Sequence, residues 1–541
     1  METTKVAQKK KLNILWISFE DTNPYYGCYG DRVAKTPNLD QLAAEGCRWP
    51  LTFSTAGVCA PARSAIITGM YPCSMGAHHM RTTHTNDAAP ELPTPYSAVP
   101  PHYVRCLPEY FRAAGYYCTN NVKTDYQFKA PVTAWDELST EAHWRNRPDP
   151  DQPFFAVFNL GRSHESGMWP EKCPEVTVDP DAIELPPYFP DTPKVREAMA
   201  RMYTNIEYND RILGELLKQL EEDGLAENTV VFHWSDHGPL PRGKRWPYDS
   251  GIHVPMIVRW PGVLEPGSVS EQLISTIDLP PTVLSVAGLP IPYYMQGQAF
   301  LGEQAAPERE YIFATRDRYD ESYDMIRAVR DRRFKYIRHY DPLQPYLLWI
   351  PYRNRHPILQ EMWRLHLEDK LEWPQSIMFQ PRPAEELYDT ENDPWEINNL
   401  AGDPAYREVL ERMRKALDDW RQEIHDMGEI NEEEMVRRWY GDARKQPQTA
   451  TPRFIPITAE EPGIETRNCG SLQGPAILQL YCPTQGASME YRLDTPECQD
   501  SQWHLYTQPI RLPKGDVVVR ARAARIGFRD SEEVMASFHV S

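Results

Sequence analysis

The sequence predicts an α/β protein built on a mostly parallel sheet that is sandwiched between helices. Strand-like apolar runs alternate with helical patterns through the first half of the chain, an order typical of parallel sheets with crossover helices. After about residue 310 the pattern changes to an antiparallel hairpin and a helix, and short strands follow later. The predicted units are an α/β domain over 1–309, a smaller α+β subdomain over 310–445, a linker over 446–461 and an appended small β-sandwich over 462–541.

Two predicted strands of the sheet end in side chains that can bind a metal ion. The strands are the apolar runs Leu12–Phe19 and Thr229–Ser235, and the side chains that follow them are those of Glu20, Asp21, Asp236 and His237. Sites in open α/β sheets lie at the carboxyl ends of the strands, so these four side chains are expected at one edge. Three carboxylates suit a hard cation such as Ca²⁺ or Mg²⁺. The alternative is that each carboxylate only caps a neighbouring helix.

A helix is predicted to begin near Cys59, because Pro61 fits the first turn and residues 64–69 have helical character. At a helix N-terminus, free backbone N–H groups and the helix dipole favour a negative charge. Arg63 adds a positive charge one turn into this helix. The position can activate a nucleophile or hold an oxyanion, and a purely structural cysteine is the alternative that this feature alone leaves open.

Periodicity predicts the later elements of the first two units. Apolar residues recur at helical spacing from Val195, and Gly224 ends this helix as its C-cap. Alternation over Met325–Tyr340 predicts an antiparallel hairpin. The segment from Tyr406 to about Met427 is again helical and has one apolar side, which completes the α+β subdomain.

The C-terminal unit is predicted from short strands that follow the proline-rich and threonine-rich linker. The strands are Ala476–Tyr481, Met489–Arg492 and Val517–Ala523, and turn residues separate them. Residues 462–541 resemble the small C-terminal β-domain of some hexosaminidases, which indicates a carbohydrate context. A structural or dimerising module is the equal alternative, so the sequence does not predict an oligomeric state.

Composition excludes several classes of protein. The 58 Lys and Arg residues against 77 Asp and Glu residues leave a net charge of −19, which argues against nucleic acid as a partner. No apolar run approaches the roughly 20 residues of a membrane span, and Met1–Lys11 is polar and basic without a signal-peptide core. The chain is therefore expected to be cytoplasmic, or periplasmic or secreted if a signal was removed. The ten cysteines show no zinc-ligand spacing.

The pattern C-x-P-x-R from Cys59 to Arg63, followed by Ser64–Pro72, resembles the signature of the type I, formylglycine-dependent sulfatases. Further motifs resemble that family in the expected order: Phe19–Thr22, Thr36–Asp40, Ser235–Gly238, Gly262, Glu386–Pro394 and Asn399–Leu400. The resemblance covers roughly residues 12 to 425. Within the family, the spacing from Glu20 and Asp21 to Gly27 and the block Leu387–Pro394 look like those of bacterial heparan N-sulfatase-like enzymes.

The resemblance implies an alkaline phosphatase-like fold and hydrolysis of a sulfate ester, or of a sulfamate, on a carbohydrate. It implies that a formylglycine-generating maturation enzyme oxidises Cys59 to formylglycine, whose hydrate supplies the attacking oxygen. The second oxygen of that hydrate later expels sulfate as the aldehyde re-forms, and a plain thiol could not recycle in this way. The implied metal is Ca²⁺, with Mg²⁺ as the alternative, and the implied ligands are Glu20, Asp21, Cys59, Asp236 and His237.

Three further residues match family positions that grip the sulfate and protonate the leaving oxygen. They are Lys123, His164 and Lys244, and each lies in a segment that follows a predicted strand. Asp125 departs from the family, because many relatives carry histidine two residues after this lysine. Its carboxylate is expected either to act as a base toward the formylglycine hydrate or to orient Lys123.

A histidine-rich segment after the signature helix is predicted to lie near the pocket and to contact the substrate. Its residues are His78, His79, Arg81 and His84. Such side chains can recognise a sugar hydroxyl or an anionic group, whereas a second metal site or a packed, hydrogen-bonded segment are the alternatives.

Two other functions are weighed against a carbohydrate sulfatase: a phosphonate monoester or phosphodiester hydrolase of the same superfamily, and an inactive protein that binds sulfated glycans.

Overall fold

The computed structural model describes residues 11–541, and its largest sheet has eight strands. The strands of the first unit are β1 Asn13–Phe19, β2 Cys47–Arg48, β3 Thr52–Phe53, β4 Tyr117–Asn121, β5 Glu137–Leu138, β6 Phe154–Leu160, β7 Thr229–Ser235, β8 Met256–Arg259, β9 Ser268–Val269 and β10 Ile274–Ser275. Its helices are α1 Pro37–Glu45, α2 Cys59–Thr68, α3 Leu107–Ala113, α4 Pro193–Glu222, α5 Asp249–Ile252 and α6 Leu279–Val286.

The eight-stranded sheet confirms the predicted mostly parallel architecture. Its strand order is β5-β4-β6-β1-β7-β8-β2-β9, and all pairs from β5 to β7 are parallel, whereas β8 runs antiparallel to β7 and to β2. The central strand β1 is buried along its whole length, which explains its continuous apolar sequence. The strand β7 has the predicted bounds, and β1 begins one residue later than predicted.

Helices cover both faces of this sheet, as predicted. Leu15 and Ile17 of β1 pack in one core with α1 and α4, whereas Ile14 and Trp16 pack in a second core with α2, α3 and α6. Alternate residues of a strand point to opposite faces, so one strand contributes to both cores. The helix α4 begins after Thr192, whose hydroxyl accepts a hydrogen bond from the Val195 N–H.

The second unit is an antiparallel sheet with helices, which agrees with the predicted α+β subdomain. Its elements are β11 Ile312–Arg316, β12 Ile326–Arg330, β13 Phe334–His339, α7 Pro357–Leu367, β14 Glu385–Asp389, α8 Arg407–Glu423 and α9 Glu432–Tyr440. The hairpin β12–β13 and the helix α8 match the predicted hairpin and helix. Val329 and Trp420 pack in one core with Ala65 of α2, so the subdomain lies directly against the helix that begins at Cys59.

The C-terminal unit consists of two facing sheets and confirms the predicted β-sandwich. Its strands are β15 Arg453–Ile457, β16 Cys469–Leu472, β17 Ile477–Tyr481, β18 Ser488–Asp494, β19 His504–Leu505, β20 Ile510–Arg511, β21 Gly515–Ala524 and β22 Val534–Val540. The sheet β15-β17-β20 and the sheet β16-β22-β21-β18-β19 share a core that includes Leu478, Val519 and Phe538.

The prediction of a linker over residues 446–461 was wrong at its centre, because β15 lies within this range and pairs with β17. Pro456 concealed this strand in the sequence. A proline is compatible with an edge strand, and β15 is the edge of its sheet. Phe454 of the same strand is buried in the sandwich core.

Arg112 of α3 fixes the sandwich to the large sheet. Its guanidinium pairs with Asp136 at 3.2 Å and with Glu490 of β18 at 2.7 Å, and it donates to the Trp503 carbonyl at 2.7 Å. Buried charges of this kind are stable only when they are paired and hydrogen-bonded.

Within residues 11–541, none of the helices combines the length and the apolar character that a membrane span requires.

Candidate functional site

The candidate site lies where the carboxyl ends of β1 and β7 meet the N-terminus of α2. The sharp turn after β1 places Asp21 in the left-handed region with φ of 48° and buries its carboxylate. Asp236 and His237 follow β7 directly and are fully buried. The site therefore forms at the strand ends of the parallel part of the sheet, as the sequence predicted.

Four side chains offer ligand atoms that all lie within 4.8 Å of one another: Asp21, Cys59, Asp236 and His237. His237 Nε2 lies 3.1 Å from Cys59 Sγ and 3.2 Å from Asp21 Oδ1. His237 Nδ1 donates to the Gly238 carbonyl at 3.0 Å, so Nε2 is the ring nitrogen that faces the group. Two carboxylates, one imidazole nitrogen and the atom on residue 59 are a donor set that fits a divalent cation.

Hydrogen bonds fix the Asp236 carboxylate. It accepts the backbone N–H of Asp21 at 3.0 Å and the N–H of His237 at 3.1 Å, and Arg63 Nε donates to it at 2.9 Å. Burial raises the pKa of Asp236, but the charges of Arg63 and His237 outweigh burial and hold it far below its ordinary value. Asp236 therefore stays ionised in the interior.

Positive charges surround the thiol of Cys59, which is 2% exposed and is the first residue of α2. Burial alone would raise its pKa, but Lys123, Lys244 and His237 outweigh burial and lower the pKa from 9.0 to about 6. The helix N-terminus acts in the same direction. Residue 59 thus occupies a position that favours a negatively charged oxygen or sulfur atom.

Glu20 does not join the four ligand side chains, although the sequence predicted it as a fifth. Lys123 Nζ lies 3.0 Å from Glu20 Oε2, and Arg63 Nη2 lies 4.0 Å from Glu20 Oε1. These two cations hold the carboxylate beside the group rather than within it. Asp125 lies on the outer side of Lys123, with 3.8 Å between Asp125 Oδ2 and Lys123 Nζ.

His164 and Lys244 lie together on the other side of the group. His164 Nε2 is 3.3 Å from Lys244 Nζ and 3.9 Å from Asp21 Oδ2, and His164 Nδ1 is 2.9 Å from the Ser166 hydroxyl. Lys244 is buried and pairs with Asp21. Burial raises the pKa of Asp21, but the charges of Lys244, His164 and His237 outweigh burial and lower this pKa to about 2. The structure thus places Lys123 and Lys244 near residue 59, and it places His164 beside Lys244 and Asp21.

Glu165 and Arg245 support this site and were missed in the sequence. Glu165 accepts two hydrogen bonds from Arg245, at 3.0 and 2.9 Å, and also pairs with Lys244 at 3.2 Å. Its backbone N–H donates to Asp21 at 2.7 Å. The only signal was position, since each residue follows a predicted site residue directly in the chain.

The α+β subdomain holds the segment 242–249, which carries Lys244. Arg242 donates to the carbonyls of Trp395 and Glu396 at 3.0 and 2.6 Å. At the other end of the segment, the Asp249 N–H donates to Glu396 Oε2 at 2.6 Å. The Tyr248 hydroxyl also donates to the Glu386 carboxylate. Residues 386–396, which include the predicted family motif and the two residues after it, therefore hold the segment at both ends.

The histidine-rich segment does not line the pocket as a whole. His78 and His79 are buried, and His79 Nδ1 accepts the Arg318 N–H at 3.3 Å, so both rings pack inside the protein and are not free to contact a sugar. Arg81 lies next to the site, because its partner Asp320 also pairs with Arg245 at 3.4 Å, and His84 is exposed. A second metal site is not supported either, since the described chain offers one group of ligand side chains and it excludes these histidines.

Comparisons with known proteins agree on one family. The family model described as sulfatase matches residues 12–289, and a model of the C-terminal part of N-sulphoglucosamine sulphohydrolase matches residues 237–358. An ulvan-active sulfatase from Formosa agariphila is 44% identical, over 99% of this chain and 93% of its own. Human N-sulphoglucosamine sulphohydrolase is 26% identical, over 78% and 92%.

Solved structures show a similar fold at low sequence identity. A 2-O GAG sulfatase aligns with a TM-score of 0.57 and 19% identity, over 77% of this chain and 93% of its own. The phosphonate monoester hydrolase of Agrobacterium radiobacter aligns with a TM-score of 0.56 and 16% identity, over 77% and 97%. The shared fold extends to hydrolases of both ester types, so the fold by itself does not distinguish between them.

Proposed function

This chain belongs to the sulfatase family, and from that premise we propose that the described site removes sulfate ester groups from a sulfated saccharide. The observation that carries the proposal is the environment of Cys59. Its side chain begins a helix, joins three ligand side chains and faces Lys123 and Lys244. A sulfate group needs this combination of a nucleophile and several cations, because negative charge on its oxygens repels an attacking group.

The proposed nucleophile is formylglycine, formed from Cys59 by a maturation enzyme. One hydroxyl of its hydrate attacks sulfur as the sugar oxygen leaves, and the second hydroxyl then expels sulfate as the aldehyde re-forms. The burial of Cys59, which is 2% exposed, supports oxidation before the chain has folded around it. A folded protein would not offer this side chain to another enzyme.

The proposed metal site consists of Asp21, Asp236, His237 and residue 59. Its two carboxylates support a hard cation, for which Ca²⁺ is proposed and Mg²⁺ is the alternative, whereas the imidazole nitrogen is a softer donor. When bound, the cation would draw negative charge from a sulfate oxygen. Arg63 keeps Asp236 in place through its 2.9 Å hydrogen bond.

The remaining site residues bind sulfate and manage protons in this proposal. Lys123 and Lys244 both lower the pKa of residue 59 and are placed to bind sulfate oxygens. His164, which is 20% exposed at its side chain, is placed to protonate the leaving sugar oxygen. The 3.8 Å separation of Asp125 from Lys123 supports an orienting role for Asp125.

Replacement of His164 by alanine is expected to affect substrates according to their leaving groups. Esters of poorly acidic sugar alcohols should be hydrolysed roughly 10²–10⁴-fold more slowly, the usual range for general acid–base catalysis. Activated aryl sulfates should lose much less, because their leaving group departs without a proton. Steady-state kcat values on both substrate types measure this difference. An equal loss on both would show that His164 only binds sulfate, and the acid role would pass to Lys244 or Asp125.

The similarity to an ulvan-active sulfatase supports ulvan as the source of the substrate. The matched model of N-sulphoglucosamine sulphohydrolase makes a sulfamate the second substrate to test. Purified enzyme with residue 59 oxidised is expected to release sulfate from ulvan oligosaccharides. Its kcat/KM on an aryl sulfate should exceed that on the matching aryl phosphonate by more than about tenfold. A preference for the phosphonate would identify a phosphonate monoester hydrolase, and binding of sulfated saccharides without turnover would identify an inactive binder.

A further inference from the structure

We propose that Arg81, Tyr323 and Trp349, here called the aromatic rim, bind a second sugar residue next to the sulfated one. This proposal rests on the proposed function, because it assumes that the substrate is a saccharide. The side chains that surround residue 59 are buried, whereas Arg81, Tyr323 and Trp349 are partly exposed. A saccharide that extends from residue 59 toward solvent would therefore pass exposed side chains of this kind.

Arg81 connects the rim to the catalytic residues. Its guanidinium lies 5.2 Å from the ring centre of Tyr352, and that ring lies 6.5 Å from the ring of His164. Asp320 binds Arg81 Nε, which holds the side chain in one orientation while 43% of it stays exposed. The remaining guanidinium donors can thus bind a hydroxyl or a carboxylate of a sugar without reorientation of the side chain.

Trp349 is exposed on a backbone that is firmly anchored. Its neighbours Leu348 and Ile350 are buried, whereas the tryptophan itself is 56% exposed. The hydroxyl of Ser322 donates to the Trp349 carbonyl at 2.6 Å. Trp349 lies only three residues before Tyr352 in the chain, so their Cα atoms lie within about 11 Å of each other.

Tyr323 adds a second aromatic surface beside Trp349. It directly follows Ser322, is 50% exposed, and its hydroxyl donates to Glu432 at 2.6 Å. Two exposed aromatic rings on anchored segments, together with an oriented guanidinium, offer flat apolar faces and hydrogen-bond donors. Sugar rings present the complementary surface, because their C–H groups form apolar faces and their hydroxyls accept hydrogen bonds. We therefore assign the rim to a neutral or anionic sugar residue rather than to a protein partner.

The test compares Trp349→Ala with wild-type enzyme on sulfated substrates of increasing length. On a sulfated disaccharide and tetrasaccharide, KM is expected to rise roughly 10- to 100-fold, the range for loss of a large buried aromatic contact. On an aryl sulfate, which has no second sugar, kcat and KM should stay unchanged. Trp349→Phe keeps an aromatic face and should retain most of the affinity. Trp373→Ala is the matched control, because Trp373 is 57% exposed and lies beyond α7.

Each outcome bears on the proposal. Loss restricted to the longer substrates, in Trp349→Ala and not in Trp373→Ala, supports the second sugar site. Equal KM values for wild type and Trp349→Ala on the tetrasaccharide would overturn it, as would an equal loss on the aryl sulfate. Failure of wild-type enzyme to release sulfate from any substrate would instead contradict the proposed function, so the two failures are distinguishable.

Discussion

Cys59→Ala is expected to abolish turnover while the protein keeps its fold. The substitution removes one small side chain, so little core volume is lost, whereas the chemistry loses the atom that must become the nucleophile. Removal of a nucleophile from other hydrolases lowers kcat by roughly 10⁶-fold, and a loss of that order is expected here. Steady-state turnover of an aryl sulfate measures the loss, and circular dichroism measures the fold.

Cys59→Ser is the matched control, since it places an oxygen at the same position without the aldehyde chemistry. It should be nearly as inactive, because a serine ester of sulfate lacks a second oxygen to expel the sulfate. In wild-type protein the peptide that contains residue 59 should be about 18 Da lighter than its cysteine form, the difference between CH₂SH and CHO. Full activity of Cys59→Ala would refute the proposed mechanism.

Asp236→Asn is expected to lose bound metal and activity together. The substitution removes one of two carboxylate charges from the group of four ligand side chains, and it also replaces the charged partner of Arg63 Nε with a neutral amide. Activity should fall by at least about 100-fold, since even residues outside the ligand shell of metal enzymes contribute 10–100-fold. Elemental analysis of the purified variant should show much less than one ion per chain.

Asp278→Asn is the control for this experiment, because Asp278 is also buried and paired with an arginine, Arg309, but lies outside the group. It should keep its metal. Chelator-treated wild type should regain activity with Ca²⁺ or Mg²⁺, whereas Asp236→Asn should not. Stoichiometric metal in Asp236→Asn would show that another set of ligands holds the ion.

The parts of the site that could be predicted from the sequence are those that follow regular elements. Asp21 and Asp236 follow buried apolar strands, and Cys59 begins a helix, so the strand and helix patterns locate them without a structure. Glu165 and Arg245 could not be predicted, because their roles depend on ion pairs between irregular segments. Such pairs leave no periodic pattern in the sequence.

The predictions for the histidine-rich segment and for the linker differ from the structure for a related reason. Polar residues in a loop are normally exposed, but His79 is buried beside Arg318, which forms a buried ion pair with Glu432 at the start of α9. The helix α9, which covers this segment, lies roughly 300 residues or more further along the chain, and no local sequence pattern indicates that contact. Pro456 concealed an edge strand in the same way, since only its neighbours in space show that the strand lies at the edge of its sheet.

The two-ended attachment of the segment 242–249 has a consequence for how this enzyme would lose activity. The anchors are Glu386, which belongs to the antiparallel sheet β11-β12-β13-β14, and Glu396, which follows β14 in the chain, whereas Asp21 and Asp236 follow strands of the eight-stranded sheet. Proteins open in cooperative parts rather than all at once, and the parts differ in stability. If the antiparallel layer opened first, Lys244 would lose its position while the large sheet stayed folded. Catalytic competence would thus report on the integrity of a layer that supplies no catalytic side chain of its own.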